Sequence, residues 1–155
     1  MKIGMIAMSG IRAANPDLVA AGLEMPGVVE RAKVVASLPS LSLLTLAGMT
    51  PDDIEIEYHE IADLRAEGMP QGDYDAVVIA TYSAQVLEAY EVADSFRARG
   101  VPVVMGGLHV KAEPDEAATH ATIAVGEGEQ LWPAIIDDLR RGALKPRYEQ
   151  RDGDW

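Results

Sequence analysis

Four short segments of this 155-residue chain set small, hydroxyl-bearing or acidic residues directly behind an apolar run. They are Met8-Ser9-Gly10-Ile11-Arg12, Ala80-Thr81-Tyr82-Ser83, Met105-Gly106-Gly107-Leu108-His109 and Val125-Gly126-Glu127-Gly128-Glu129. Glycine at a strand exit lets a ligand approach the backbone closely, and hydroxyls or carboxylates there can bond a ligand's polar rim. Turn geometry alone would explain one or two such exits. Glycine at three of the four favours a ligand site.

Each segment also carries a plainer reading. Gly106-Gly107 can expose amide groups beside a bulky flat ligand, or simply form a tight turn before His109. Thr81, Tyr82 and Ser83 offer hydroxyls, while Thr81 or Ser83 equally suits the cap of a helix starting near Gln85. His109 can act as ligand or base, although a lone histidine after a turn is more commonly solvated or satisfied. His59 and His120 have no second ligand at metal spacing. Gly126-Glu127-Gly128-Glu129 starts like a dinucleotide fingerprint, but its carboxylates would repel a pyrophosphate and the third glycine is missing. Glu127 and Glu129 read instead as acceptors for amides, or, for Glu129 especially, as charges at a helix start.

Other chemistries fail on inspection. The chain has no cysteine, which removes disulfides, thiolate zinc sites, cysteine nucleophiles and cysteine-held iron–sulfur clusters. No Gly-x-x-x-x-Gly-Lys-Ser/Thr run is present. A receiver domain needs an aspartate where Ala80-Thr81 stands, and a flavodoxin needs more hydroxyls than Ser9-Gly10-Ile11-Arg12 supplies. No catalytic Ser/His/Asp set can be assigned.

The elements that must position these residues follow from periodicity. Apolar runs at Lys2 to Met8, Ala76 to Ala80, Val101 to Met105 and Thr122 to Val125 predict buried parallel strands. Ile54 to Tyr58 alternates apolar with charged residues, as an edge strand does. Helices are expected from about Pro39 to Ala47, Gln85 to Arg99, Pro114 to Thr119 and Leu131 to Arg141, with Ser37 or Leu38 at the cap of the first. Ser9 to Ser37 is too long for an ordinary connection of about 2–6 residues and so reads as a functional loop. The expectation is an α/β, Rossmann-like, doubly wound, mainly parallel five-stranded sheet of flavodoxin-like order 2-1-3-4-5. Such sheets bind ligands beyond the carboxyl ends of their strands. Residues 1–148 should form this one domain, with 149–155 a polar tail or the start of an interdomain connector.

Charge limits the partners. With Lys+Arg 13 against Asp+Glu 25, the formal net charge of −12 disfavours nucleic acid and anionic membrane surfaces. Hydrophobic residues at 48 % with 25 % charged fit a folded soluble domain rather than a disordered one. No basic segment followed by a long apolar run opens the chain, so cytoplasm is the expected location.

The segments together resemble a known family. Ser9-Gly10-Ile11-Arg12, Pro26 to Arg31, Ser37 to Ala47, Met105 to Val110 and Gly126 to Glu129 are similar, in that order, to the N-terminal cobalamin-binding domain of cobalamin-dependent radical SAM proteins. The resemblance runs from about Met1 to Tyr148, and the Ser37–Ala47 stretch and the Gly-Gly-Leu-His exit are its most specific parts. It implies a sheet that holds a corrinoid over its carboxyl edge, with the nucleotide tail detached from cobalt and passing down into the sheet. Carried over, the contacts are Ser9, Gly10 and Arg12; Leu38, Pro39, Ser40 and Leu41 beside the corrin; and Thr81, Tyr82 and Ser83. Gly106, Gly107 and Leu108 would line the tail tunnel, with Gly126, Glu127 and Gly128 near the amides or the tail.

Two departures shape the functional expectation. The first loop lacks the Asp-x-His-x-x-Gly motif of mutase-type and methionine-synthase-type domains, so the resemblance implies base-off cobalamin without a protein histidine on cobalt. The radical SAM half needs three cysteines for its [4Fe-4S] cluster, and this chain has none. The chain is therefore expected to be a cobalamin-binding methyl carrier for a radical SAM catalytic domain or partner protein, and not an enzyme by itself. A ligand-free regulatory module of the same fold is the alternative, as is a small-molecule enzyme using His109 and Glu127 as acid and base. Valine at Gly106 or Gly107 is expected to fill the tunnel and weaken binding while the domain still folds.

Overall fold

The first strand, β1 (Lys2–Met8), is a run of Ile, Met and Ala that can be apolar on both faces only if the strand is covered on both. That is where the computed structural model, which describes residues 1–9 and 39–150, places it. From Ile3 to Met8 every β1 residue is buried. On one side it pairs with β2 (Glu55–Ile61), on the other with β3 (Ala76–Ala80). The sheet continues through β4 (Val103–Gly106), β5 (Thr122–Val125) and β6 (Arg147–Glu149), giving the order β2-β1-β3-β4-β5-β6 with every pairing parallel.

Alternation along the strands separates two cores. Ile6, Met8, Val77, Ile79, Val103, Met105 and Ile123 face one layer. There they meet α3 (Val86–Ala98), α4 (Leu108–Ala112) and α5 (Pro114–Ala117), with Phe96 and Tyr90 of α3 as the largest contributions. Ile3, Met5, Ala7, Ala76, Val78 and Val104 face the other layer, covered by α1 (Leu41–Met49) and α6 (Gly128–Arg140). Trp132, Ile135 and Ile136 line the inner face of α6, and Leu43 that of α1. A short helix, α2 (Leu64–Glu67), follows β2, its start bonded by the Asp63 carboxylate through the amides of Arg65 and Ala66. No helix among the described residues is long and apolar enough to cross a membrane.

The doubly wound sheet and the order of its first five strands are as expected, with six strands rather than five. The sixth, β6, lies where the expected domain ends and the polar tail begins, a stretch to which no strand was assigned. Arg147-Tyr148-Glu149 is too short to show periodicity, and only Tyr148 points inward. Its hydroxyl donates to Asp138 Oδ2 at 2.7 Å, and its partner strand is β5. The helix expected from Pro114 to Thr119 is the shorter α5, and α4 and α2 were not foreseen. β2 runs on to Ile61 because His59 and Glu60 are carried along an edge where polar side chains keep access to water.

Asp138 is 3 % exposed at the joint between α6 and β6, accepting from Tyr148 and Arg141, with Lys145 Nζ 3.6 Å away. The Tyr148 hydroxyl, then the Arg141 guanidinium, hold its carboxyl below the usual carboxylate range. A depressed folded-state pKa contributes stability above the unfolded value of about 3.9 and loses it as pH falls through the folded value. Asp138→Asn should therefore lower the urea midpoint at pH 7, and the gap from wild type should narrow at pH 3. A gap independent of pH would show that the carboxylate charge is not what ties β6 down.

Candidate functional site

The chain leaves β1 for β2 on one side and takes β3 on the other, so the sheet's switch point lies between the exits of β1 and β3. A cleft of about 600 Å³ opens there, continues past the exits of β4 and β5, and runs down between the sheet and helices α1 and α6. Its floor is a row of small residues on four adjacent strands. Ala7 pairs with Ala80, Ala80 with Gly106, and a Cβ placed on Gly106 would lie 4.0 Å from that of Ala124. One layer deeper the same faces carry Val78 and Val104, with Leu43, Leu46, Trp132 and Ile135 forming the walls. An apolar slot remains where larger residues would have closed it.

Of the expected contacts, Ser9, Pro39, Ser40 and Leu41 line this cleft on one side. Thr81, Tyr82, Gly106, Gly107, Leu108, Gly126, Glu127 and Gly128 line the rest. Gly10, Arg12 and Leu38 lie outside the described residues, as does most of the long first loop. Ser83 is elsewhere: its hydroxyl meets His109 Nδ1 at 3.0 Å, away from the cleft. Neither Thr81 nor Ser83 caps α3; the Thr81 hydroxyl donates to the Tyr82 carbonyl. Three apolar side chains stand exposed at the mouth, Leu41 at 76 %, Leu108 at 67 % and Tyr82 at 55 %. Together they make the rim of the cleft apolar.

The supports explain why the mouth holds its shape. Tyr58 of β2 accepts the Ser40 amide at 2.9 Å and donates to Glu60 Oε1 at 2.7 Å, fixing the start of α1 over the cleft. Burial, then the bond to Glu60, pushes the Tyr58 hydroxyl up to about 12, so it stays a donor at any ordinary pH. Trp132 Nε1 donates to Thr50 Oγ1 at 3.0 Å and joins α6 to the end of α1. Below Gly107 and Leu108, His109 is buried against Tyr90, with Nε2 3.4 Å from Glu116 Oε1. It ties the β4 exit to the β3 exit through Ser83. The carboxylate it meets is thus Glu116, not Glu127, and no histidine of the chain lines the cleft. Glu127 holds the N-cap position of α6 without a side-chain cap bond, while Glu129 sits in the first turn, where a negative charge suits the helix.

Sequence reasoning missed the walls and, Gly106 apart, the floor. The signal was present in the last inward-facing residue of each strand, Ala7, Ala80, Gly106 and Ala124, once the strands are laid side by side. Leu46, Trp132 and Ile135 had no such signal, because helical core positions look alike wherever they point.

These features define an α/β domain with a deep, largely apolar cleft at the carboxyl edge of its sheet. Its sequence is similar to two proteins of Chlorobaculum tepidum. The first is a bacteriochlorophyllide d C-8(2)-methyltransferase, 40 % identical over 118 residues that take in 72 % of this chain. The second, a bacteriochlorophyllide d C-12(1)-methyltransferase, is 29 % identical over 116 residues, or 73 % of this chain. In both the match takes in about a quarter of the relative's length. No family model and no solved structure matches the chain.

The two adjacent glycines of the β4 exit have different reasons to be glycine. Gly107 has φ +114°, and a Cβ there would meet the Thr81 carbonyl oxygen at 2.6 Å, whereas one at Gly106 meets nothing closer than 3.8 Å. Valine at Gly107 would therefore disturb the β3 exit itself, so it cannot probe the tunnel in the way expected from sequence. In urea denaturation Gly107→Ala should cost about 2 kcal/mol or more. Gly106→Ala should stay within about 1 kcal/mol of wild type. Equal losses would refute this division.

Proposed function

We propose that the chain is a cobalamin-binding module that holds the cofactor base-off, without a histidine on cobalt, as a methyl carrier for a separate catalytic half. The observation that carries the reading is the slot itself: a deep apolar opening at the switch point, floored by Ala7, Ala80, Gly106 and Ala124. A corrinoid has a broad apolar-faced ring, a rim of amides and a long nucleotide tail, so it needs both a wide mouth and a narrow depth. The residues present fit that shape. Leu41, Leu108 and Tyr82 would pack against the ring, and the hydroxyls of Ser9 and Ser40 with the Glu127 carboxylate would meet its amides. The tail would descend past Gly106 and Gly107 towards Val78 and Val104.

Two further facts support this reading. The sequence resembles the cobalamin-binding domain of radical SAM proteins, and both curated relatives are named as methyltransferases. A bound corrinoid would supply methyl transfer at its cobalt. The protein's share is binding, orientation and exclusion of water from the slot. No cysteine is available for a cluster, so the radical step belongs to another polypeptide segment or partner, and the chain alone should show no turnover.

Incubation with hydroxocobalamin followed by desalting tests the reading. Retention of the chromophore near one equivalent, with a visible spectrum of the base-off form, is the expected result. Loss of all colour would overturn it and favour a module that keeps the fold without a ligand. Gly106→Val adds branched carbon to an open floor and should weaken retention by about tenfold, the equivalent of roughly 1.4 kcal/mol, with the folded state intact by circular dichroism. Unchanged affinity in that variant would mean that the tail does not use the slot.

A further inference from the structure

Among the described residues one basic side chain lines the cleft, that of Lys111, one turn beyond Gly107 on α4. Its backbone is fixed there by a bond from its amide to the Gly107 carbonyl at 3.2 Å. The other two described lysines hold carboxylates: Lys2 meets Glu57 at 2.6 Å, and Lys145 meets Asp138 at 3.6 Å. Lys111 has no ion-pair partner among the described residues, although Glu127 and Glu129 line the same cleft. In a chain of net charge −12, a lysine that pairs with no described carboxylate beside an apolar slot is free to meet an anion that a ligand brings. Exclusion of water by a bulky ligand would strengthen that attraction.

We propose that Lys111 recognises one negative charge on the ligand of this cleft. On the corrinoid reading above, which this inference rests on, the charge is the phosphodiester that joins the nucleotide to the ring. The amides around a corrin are neutral, so the phosphodiester is the anion that a complete cobalamin presents and a corrinoid without its nucleotide lacks. Lys111 thus makes the site selective for complete cobalamins, complementing the tail slot, which selects by shape.

The test crosses two ligands with two variants. Binding of hydroxocobalamin and of cobinamide, which lacks the phosphodiester-linked nucleotide, is measured by ultrafiltration with wild type, Lys111→Gln and Lys111→Arg. The side chain is exposed and makes no ion pair with a described residue, so both variants should fold as wild type does. Lys111→Gln should weaken cobalamin about fivefold, the scale of a partly exposed charge pair, and change cobinamide less than twofold. Lys111→Arg should keep the preference, and high salt should shrink the difference. Equal weakening of both ligands, or of neither, overturns the role of Lys111 while leaving the corrinoid site standing. Failure of wild type to retain either ligand overturns the corrinoid reading and this inference with it.

Discussion

Everything at the carboxyl edge depends on one packing asymmetry. On one face of the sheet, the strands end in large side chains, Met8, Ile79 and Met105, which fill the layer beneath α3 and α4. On the other face the same strands end in Ala7, Ala80 and Gly106, with Ala124 alongside. Protein interiors pack to the density of organic crystals, so a shortage of side-chain volume over four adjacent strands must be taken up by something. Helices α1 and α6 close it lower down, where Trp132, Ile135 and Leu43 reach the sheet, and leave it open at the top. The cleft is thus the consequence of a few missing methylenes, not of a separate structural element.

The polar groups serve the same geometry from outside. Tyr58 fixes the start of α1 through Ser40, Thr50 and Trp132 join α1 to α6, and Ser83 with His109 joins the exits of β3 and β4. Each is a side chain bonded across elements distant in sequence, so the walls are held in register without filling the slot. The edges of the sheet are charged: Lys2 lies between Glu55 and Glu57 beside β2, and Arg147 pairs with Glu149 on β6. Such charges discourage edge-to-edge association of the kind exposed strands otherwise invite.

Much of this was legible in the residues themselves. Continuous apolar runs at Lys2–Met8 and Ala76–Ala80 can only be strands covered on both sides, and the strand exits named much of the cleft mouth. What could not be read were features that exist only across strands. The row of small residues appears only when the register is known. The sixth strand is specified by the reach of Tyr148 to Asp138, ten residues away, and not by any pattern within Arg147–Glu149. Ser83 reads as a helix cap in one dimension and is an imidazole partner in three. His109 shows the reverse limit: its residue type suggested chemistry, and its surroundings make it a brace.

The direction of β6 has an effect on reach. Because it runs parallel to its neighbours, it delivers the backbone to the rim at Gln150, whose amide bonds the Val125 carbonyl and whose side chain accepts the Glu127 amide. An antiparallel last strand would have carried the chain to the opposite end of the sheet. Any group tethered beyond this point by a short flexible connector would experience the cleft mouth at a millimolar effective concentration, without a dedicated interface to bring it there.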